Sequence, residues 1–443
     1  MAKRRRRKRL PEELVKVRIE SLSPEGRGVA HIEGKVVFID FALVGETVEF
    51  KYTHVSKNFD EGRAVNIIEA SEDRVEPVCA HFGVCGGCSL QHQNHRAQVS
   101  SKQQSLMQQF QHLAQIQPKN ILSPLLGPTK HYRQKARLGV KYVHKKAKVL
   151  VGFREKGNAF LADLYSCPVL HESVGHRLTE LSELIMSMQA RESIPQIEVA
   201  VTDTQTALVF RHLEDLSEND KMALTQFAQQ HDLQVMLRSG GPDTVTALWP
   251  ENPPALSYVL KDQGICIEFQ PNDFVQVNSE INQAMVSMAL QMLELSAEDK
   301  VLDLFCGLGN FTLAMAQQCA EVTGIEGTQS MVIKAGENAH INQIKNASFF
   351  SADLSVDISN EPWLNQHYDK ILFDPPRSGA MEMLKYIGKL AAKRIVYVSC
   401  NPATLARDSH VLVHEYGYTL QKAGVMDMFP HTAHVESIAL FTK

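Results

Sequence analysis

No stretch of this chain reaches the roughly 18 consecutive apolar residues that a membrane-spanning helix needs. Nor does the basic N-terminus, KRRRRKR at Lys3–Arg9, lead into an apolar signal core, because Leu10 and Pro11 are followed by two glutamates. The expected location is therefore the cytoplasm, with no membrane association. In that reducing compartment the eight cysteines are not expected to form a disulfide framework. A basic character overall is missing too. Net charge is −4, and since the first nine residues carry +7, everything after Arg9 sums to −11. Any binding of nucleic acid must then come from local patches and from the basic arm, whose contacts with phosphates release condensed counterions. Internal repeats are absent, and the arm is the only low-complexity segment. With 443 residues, 44% hydrophobic and 22% charged, the chain reads as globular, with about three domains at ~150 residues each.

What is there starts with short alternating runs: VKVRIE, VVFID, TVEFKY and AVNII. Turn signals separate them at Ser23-Pro24-Glu25-Gly26, Glu33-Gly34 and Val44-Gly45-Glu46. Period-two runs with this punctuation predict a small antiparallel β-barrel over residues 11–70. Barrels of that size commonly bind nucleic acid.

Residues 79–88 then read CAHFGVCGGC, three cysteines spaced C-x5-C-x2-C. Zinc sites usually pair two C-x2-C units or add closely spaced histidines, and no second pair is present. The spacing is one residue longer than the plant-ferredoxin pattern C-x4-C-x2-C, whose fourth ligand lies far away. Cys167, ahead of Pro168, could be that fourth ligand, whereas Cys266 in GICIEF reads as core. Spacing favours iron–sulfur over zinc, and His81, His92 and His95 keep zinc open. A helix is predicted from about Ala97 to Gln115. In the following HYRQKARLGVKYVHKK, Arg133, Lys135 and Arg137 share one strand face, interleaved with Tyr132 and Tyr142, which would suit an RNA-facing surface.

The text changes near Asp273. INQAMVSMALQMLEL places Ile281, Met285, Met288, Met292 and Leu295 on one helical face, a core-packing stripe. Apolar strands then alternate with helices: KVLDLFC, EVTGIEG, ASFFSADL, DKILFDPP and RIVYVSC, closed by a final strand pair. This alternation predicts a doubly wound, mostly parallel sheet over 273–443.

Chemistry gathers at the strand ends of this sheet. In VLDLFCGLGNFTLA, Gly307 and Gly309 allow a tight turn and close backbone approach to a ligand at a helix start. Glu326 ends the next strand, 23 residues after Asp303, where a carboxylate grips a ribose diol. Asp353 ends the third strand, over the place for an adenine. The D-x-F-x-G-x-G start is similar to the first motif of S-adenosylmethionine-dependent methyltransferases. A nicotinamide dehydrogenase would lack the acid ahead of the glycines. ILFDPPRSG sets Asp374 at the fourth strand end, with Arg377 where amine-methylating enzymes carry an aromatic. VSCNPATLARD presents Cys400 at the fifth, before an incipient helix whose N-terminus is expected to lower the thiol pKa. A thiolate is what methylation of uracil at carbon 5 needs. Addition at carbon 6 turns carbon 5 into an enolate carbon able to take a methyl group. A base must then remove the carbon 5 proton, and DMFPHTAHVESIALF offers Glu436, flanked by His431 and His434.

FDPPRSG, VSCNPATLARD, HVE, FVQVN at Phe274–Asn278 and DLFCGLGNF together resemble the RNA uracil-C5 methyltransferases. The resemblance covers the whole chain once residues 11–70, which resemble a TRAM domain, and the cysteine cluster are counted. It implies that Cys400 is the nucleophile and Glu436 the base. Gln276, Phe305, Asn310, Glu326, Asp353 and Asp374 would line the pocket for S-adenosylmethionine and target. It also implies a [4Fe–4S] cluster on Cys79, Cys85, Cys88 and Cys167, held in a central α+β domain at 71–272. Barrel, cluster and the basic tail at 1–10 together look most like family members that act on 23S ribosomal RNA. No protein partner is expected, and the chain is expected to be a monomer.

Overall fold

The computed structural model describes residues 10–443, and the basic tail lies outside the described residues. The chain divides into two compact units. The first runs to Lys102 and takes in Glu155–Asn158 and Phe429–His434; the second holds Gln103–Arg154, Ala159–Met428 and Val435–Lys443. No helix among the described residues is long and apolar enough to cross a membrane.

Six strands build the first unit: β1 (Val15–Arg18), β2 (Ser21–Leu22), β3 (Gly28–Ile32), β4 (Lys35–Asp40), β5 (Thr47–Val55) and β6 (Phe59–Glu69). Their order is β1-β5-β6-β4-β3-β2. Strands β1 and β2 are two halves of one stretch, split where Ile19 N–H donates to Glu46 O and Glu20 N–H donates to Val29 O. The same stretch therefore pairs on both edges, which closes the sheet into a barrel, antiparallel as expected except between β4 and β6, which run parallel. Ile19, Ala30, Val37, Ile39, Ala42, Val48 and Phe50 fill it. Gly62 sits in β6 because a Cβ there would come within 2.3 Å of the Phe50 ring. The alternating runs identified β1, β4, β5 and β6. They missed β3, whose GVAHI mixes a histidine into its pattern. Helix α1 (His95–Gln109) follows and ends in a π-turn at Phe110–Ala114, as the predicted span of about 97 to 115 implies.

The second unit opens on the short strand β7 (Asn120–Ile121) and a six-stranded sheet ordered β13-β12-β11-β10-β8-β9. Its strands are β8 (Lys135–Val143), β9 (Lys148–Gly152), β10 (Gln196–Val201), β11 (Thr206–Arg211), β12 (Gln234–Arg238) and β13 (Val245–Trp249). Between them come α2 (Glu172–Gly175), α3 (Leu178–Ser187) and α4 (Glu218–His231). One expectation is corrected here. Tyr132 is 4% exposed and packs in the core, so it cannot stack an RNA base. Lys135 is likewise turned inward, with its ammonium donating to Pro271 O, and burial pushes its pKa down to about 8. Period-two spacing shows which residues share a strand face, not whether that face is covered.

A hairpin, β14 (Leu256–Leu260) with β15 (Ile265–Phe269), leads to α5 (Ser279–Leu293). Along α5, Ile281, Met285 and Met292 of the predicted stripe are buried, whereas Met288 is half-buried and Leu295 lies past the helix end. The large sheet is ordered β18-β17-β16-β19-β20-β22-β21-β7. It comprises β16 (Lys300–Leu304), β17 (Glu321–Glu326), β18 (Ala347–Ser351), β19 (Lys370–Phe373), β20 (Arg394–Ser399), β21 (Thr419–Met426) and β22 (Glu436–Thr442). Strands β16 to β20 are parallel, and β22 is antiparallel to both β20 and β21. Helices α6 (Thr312–Ala316), α7 (Gln329–Ile341), α8 (Met381–Leu390) and α9 (Pro402–His414) connect them. Every residue of β19 is buried, as a strand flanked on both sides requires. The sheet's carboxyl edge is thus where β16, β17, β19 and β20 end and β22 begins.

Candidate active site

At that edge the chain reverses tightly after β16. Phe305 takes a left-handed φ of 64° although it is not glycine, and Gly307 and Gly309 follow at 56° and 92°. A non-glycine residue held in this region is strained, which is common where backbone is shaped for a ligand. A Cβ on Gly307 would meet no atom within 4 Å, so the loop leaves open space beside its backbone. Gly307 N–H donates to Glu326 Oε2 at 3.1 Å and Thr328 N–H donates to Glu326 Oε1 at 3.3 Å. The glutamate thereby ties two successive strand ends together.

Asp303 stands beneath this loop, 1% exposed. One carboxyl oxygen accepts from the Thr312 hydroxyl, while Oδ1 has no hydrogen-bond partner. Burial pushes its pKa up to about 7, helped by Asp374 and Glu326 and opposed by the Thr312 bond. The orphaned oxygen is a buried acceptor lying under a ligand-shaped turn.

Cys400 and Glu436 come together through the sheet. Ser399 pairs with Ser437 across the antiparallel ladder of β20 and β22. Cys400 directly follows Ser399 and Glu436 directly precedes Ser437, so both leave the ladder at the same end, and the charge of Glu436 reaches the Cys400 thiol. Asp374 follows β19, the strand next to β20, its N–H donating to Leu304 O at 3.4 Å. Electrostatics join the three. Burial pushes the Cys400 thiol up to about 11, and the charges of Glu436 and Asp374 push the same way against Arg377. Burial likewise drives Glu436, 3% exposed, well above the usual carboxylate range, with Asp374 adding and Arg377 opposing. Asp374 itself is pushed up to about 7 by burial. The expected depression of the thiol pKa by a helix N-terminus is therefore corrected. Asn401 does cap α9, accepting from Ala403 N–H at 3.1 Å, but burial beside two carboxyls outweighs the helix dipole.

The remaining predicted residues are placed differently. Asn310 is engaged in a reciprocal amide pair with Asn282, at 3.0 and 3.1 Å, and also accepts from the Tyr258 hydroxyl at 2.9 Å. Asp353 is exposed and folds back on its own loop, accepting from Ser355 N–H and Oγ–H. Gln276 is half-buried, and Phe274 of the same FVQVN segment is 73% exposed.

Sequence reasoning missed how the loop carrying Asp374 and Arg377 is held. Asn401 Nδ2–H donates to Arg377 O at 2.9 Å, and the Arg407 guanidinium donates to Ser378 O at 2.9 Å. The buried Asp408 carboxylate accepts from Ala380 N–H and the Tyr397 hydroxyl, both at 2.8 Å. All of these except Tyr397 and Ala380 lie in the VSCNPATLARD and DPPRSG segments, so the signal was present; it marked the motif without its second task.

The cysteine loop belongs to the first unit and is wound by consecutive turns. Phe82 N–H donates to Cys79 O, Cys85 N–H to His81 O, and Gly87 N–H to Cys85 Sγ at 3.4 Å. In the second unit Cys167 N–H donates to Gly175 O at 2.8 Å. Among the described residues, no group of three or more His, Cys, Asp or Glu is arranged to hold a metal ion.

Comparison with known proteins places the chain in a family. Residues 94–443 match the family model for tRNA (Uracil-5-)-methyltransferase, and residues 8–65 match that of the TRAM domain. The 23S rRNA (uracil(1939)-C(5))-methyltransferase RlmD of Alcanivorax borkumensis is 52% identical over 440 residues, 99% of each chain. The protein of the same name from Methylococcus capsulatus is 48% identical over 443 residues, 100% of each chain. Among solved structures, the Pyrococcus abyssi tRNA (uracil-54, C5)-methyltransferase in complex with S-adenosyl-L-homocysteine is similar at a TM-score of 0.72. That likeness covers 97% of this chain and 100% of the other at 22% identity, and concerns the fold.

Proposed function

This chain belongs to the tRNA (uracil-5-)-methyltransferase family, and from that membership we propose that it methylates carbon 5 of a uridine in 23S ribosomal RNA. The nucleotide is uracil 1939, named for both full-length relatives. The single observation that carries this reading is the closeness of Cys400 and Glu436 at one sheet edge, where the charge of the glutamate reaches the thiol. A ribosomal RNA substrate supports the expectation of a cytoplasmic enzyme.

The open space at Gly307 and the orphaned Asp303 Oδ1 fit a nucleoside cofactor, with Phe305, Glu326 and Asp353 along the strand ends to line it. When bound, S-adenosylmethionine supplies an electrophilic methyl group on a sulfonium sulfur. Gln276, Asn310 and Asp374 complete the proposed pocket, Asn310 by shaping its wall through Asn282 and Tyr258. Cys400 Sγ, once its proton has been lost to solvent, would add as thiolate to carbon 6 of the uracil, and the double-bond electrons would move to carbon 5, which would take the methyl group while the electron pair of the broken sulfur–methyl bond stays on the cofactor's sulfur. Glu436 removes the carbon 5 proton, and the electron pair re-forms the double bond as the sulfur–carbon 6 bond breaks. A buried glutamate driven above its usual range is a stronger base than an exposed one. Arg377 favours the charged forms of both Cys400 and Glu436.

In the free enzyme the thiol carries its proton at neutral pH. Iodoacetamide should thus modify Cys400 slowly at pH 7, with a rate rising about tenfold per pH unit toward pH 9. Peptide mapping by mass spectrometry reads this directly, and kcat/KM should climb over the same range. A rate that has already levelled off at pH 7 would mean a resting thiolate.

We also propose the [4Fe–4S] cluster on Cys79, Cys85, Cys88 and Cys167 of the central region at 71–272. Its support is the C-x5-C-x2-C spacing and a loop that aims an N–H at Cys85 Sγ, a bond that stabilises cluster-bound thiolate. Methyl transfer moves no electrons, so its role would be structural or in RNA positioning. Protein purified without oxygen should be brown with about four irons per chain. Stoichiometric zinc and no visible absorbance would remove the proposal. Residues 11–70 would serve as the RNA-gripping barrel and 273–443 as the methyl-transfer domain.

A further inference from the structure

The first unit contains a cavity of roughly 400 Å³ that no step of methyl transfer uses. It opens between the barrel and the cysteine loop, and its wall includes residues from 74 to 83 that fall in neither matched family model. Phe41, Phe82 and His92 line it as one aromatic cluster. Phe41 stands edge-on to Phe82 at 5.3 Å between centroids, and His92 lies tilted against Phe82 at 5.3 Å. The Arg63 guanidinium lies 4.8 Å over the Phe41 ring, and the Lys156 ammonium 4.4 Å from the same ring. Arg63 is exposed and donates to Gly83 O at 3.2 Å, which holds it at the cavity wall.

His92 is the group that points to a ligand. It is 2% exposed, and neither ring nitrogen has a hydrogen-bond partner. Buried polar atoms are normally paired, and an imidazole with both nitrogens orphaned beside an open cavity is shaped for something that enters it. Burial pushes its pKa down to about 4, with Arg74 and Lys156 adding and Glu46 opposing. The ring is neutral at pH 7, and so offers one donor and one acceptor. Aromatic faces, a planar guanidinium and a neutral hydrogen-bonding ring are the means by which proteins hold an unstacked base. The volume falls in the usual range for small-ligand pockets.

We propose that this cavity receives one unpaired nucleobase of the RNA substrate, stacked on these planar groups and hydrogen-bonded by His92. It is a different base from the one that Cys400 attacks, which belongs to the other unit. The proposal rests on the RNA reading above.

The test is a binding titration of the full chain with a synthetic 23S fragment that contains the target uridine. Copies of the fragment each carry one unpaired nucleotide made abasic. At one position the abasic copy should bind wild type about tenfold more weakly. His92→Phe and Arg63→Ala should each bind the intact fragment about tenfold more weakly, and lose less than twofold more on the abasic copy. S-adenosylmethionine affinity and kcat at saturating RNA should stay within twofold of wild type. Arg63 is exposed, so its truncation keeps the test alive where His92→Phe does not fold. Wild-type affinity for the intact fragment in both variants would mean that the cavity holds only water, and would overturn the proposal. So would an abasic penalty that is the same in the variants as in wild type, or none at any position. Because the readout is binding, an absence of methyl transfer alone would overturn the functional reading while the base site is still decided by the titration.

Discussion

Glu436→Gln should convert the enzyme into one that captures its substrate covalently and cannot let go. Glutamine keeps the size and most of the hydrogen bonding of the buried side chain but accepts no proton. Cys400 still adds, and carbon 5 still takes the methyl group. Carbon 5 then carries both methyl and hydrogen, and without a base the proton that must leave before elimination stays in place. A protein–RNA species containing labelled methyl should accumulate and survive denaturing gel electrophoresis. Loss of a general base costs about 10²–10⁴-fold, roughly 3–5 kcal/mol, so slow release through water is expected. The burial of Glu436 at 3% exposure argues against an easy water substitute. Turnover at the wild-type rate in Glu436→Gln would transfer the role to another group, with Asp374 first to examine because its charge reaches both Glu436 and Cys400.

Cys400→Ala should fail one step earlier. Without the sulfur, carbon 5 never becomes nucleophilic, so neither transfer nor adduct is expected, and activity should fall by about 10⁴-fold or more. S-adenosylmethionine should still bind with near wild-type affinity, because the glycine turn and Asp303 belong to β16 and its loop, away from β20. RNA binding should also persist. Combining Cys400→Ala with Glu436→Gln should add nothing to the loss, since a base has no proton to remove when no adduct forms. Residual methyl transfer in Cys400→Ala above a few parts in ten thousand would show that the reaction does not run through this thiol.

The two variants differ in what they test about legibility. Cys400 could be singled out because VSCNPATLARD ends an apolar strand and opens a helix, a local pattern. Its ionisation state could not. A helix N-terminus suggested a low thiol pKa, and the thiol is instead pushed up to about 11 by burial and by carboxyls from two other strands. Tyr132 fails in the same way, since a tyrosine beside a basic strand looked outward in the sequence and is 4% exposed in the fold. By its spacing along the chain His92 is no more than a conceivable zinc ligand. Its meaning comes from Phe41, 51 residues earlier, and from Arg63, 29 residues earlier, which line one space with it.

What the sequence alone determined is whatever depends on neighbours along the chain. Alternation every two residues set the barrel strands, and apolar runs between helices set the parallel sheet. The spacing of glycines set the turn after β16, because backbone sterics and side-chain periodicity act over a few residues. Tertiary structure decided which of two faces is covered, that Ser399 faces Ser437 and so brings Cys400 to Glu436, and that Asp303 keeps an orphaned oxygen. These are properties of groups far apart in sequence brought into one low-dielectric space. There desolvation and mutual charge set the chemistry, and neither quantity has a value until the chain has folded.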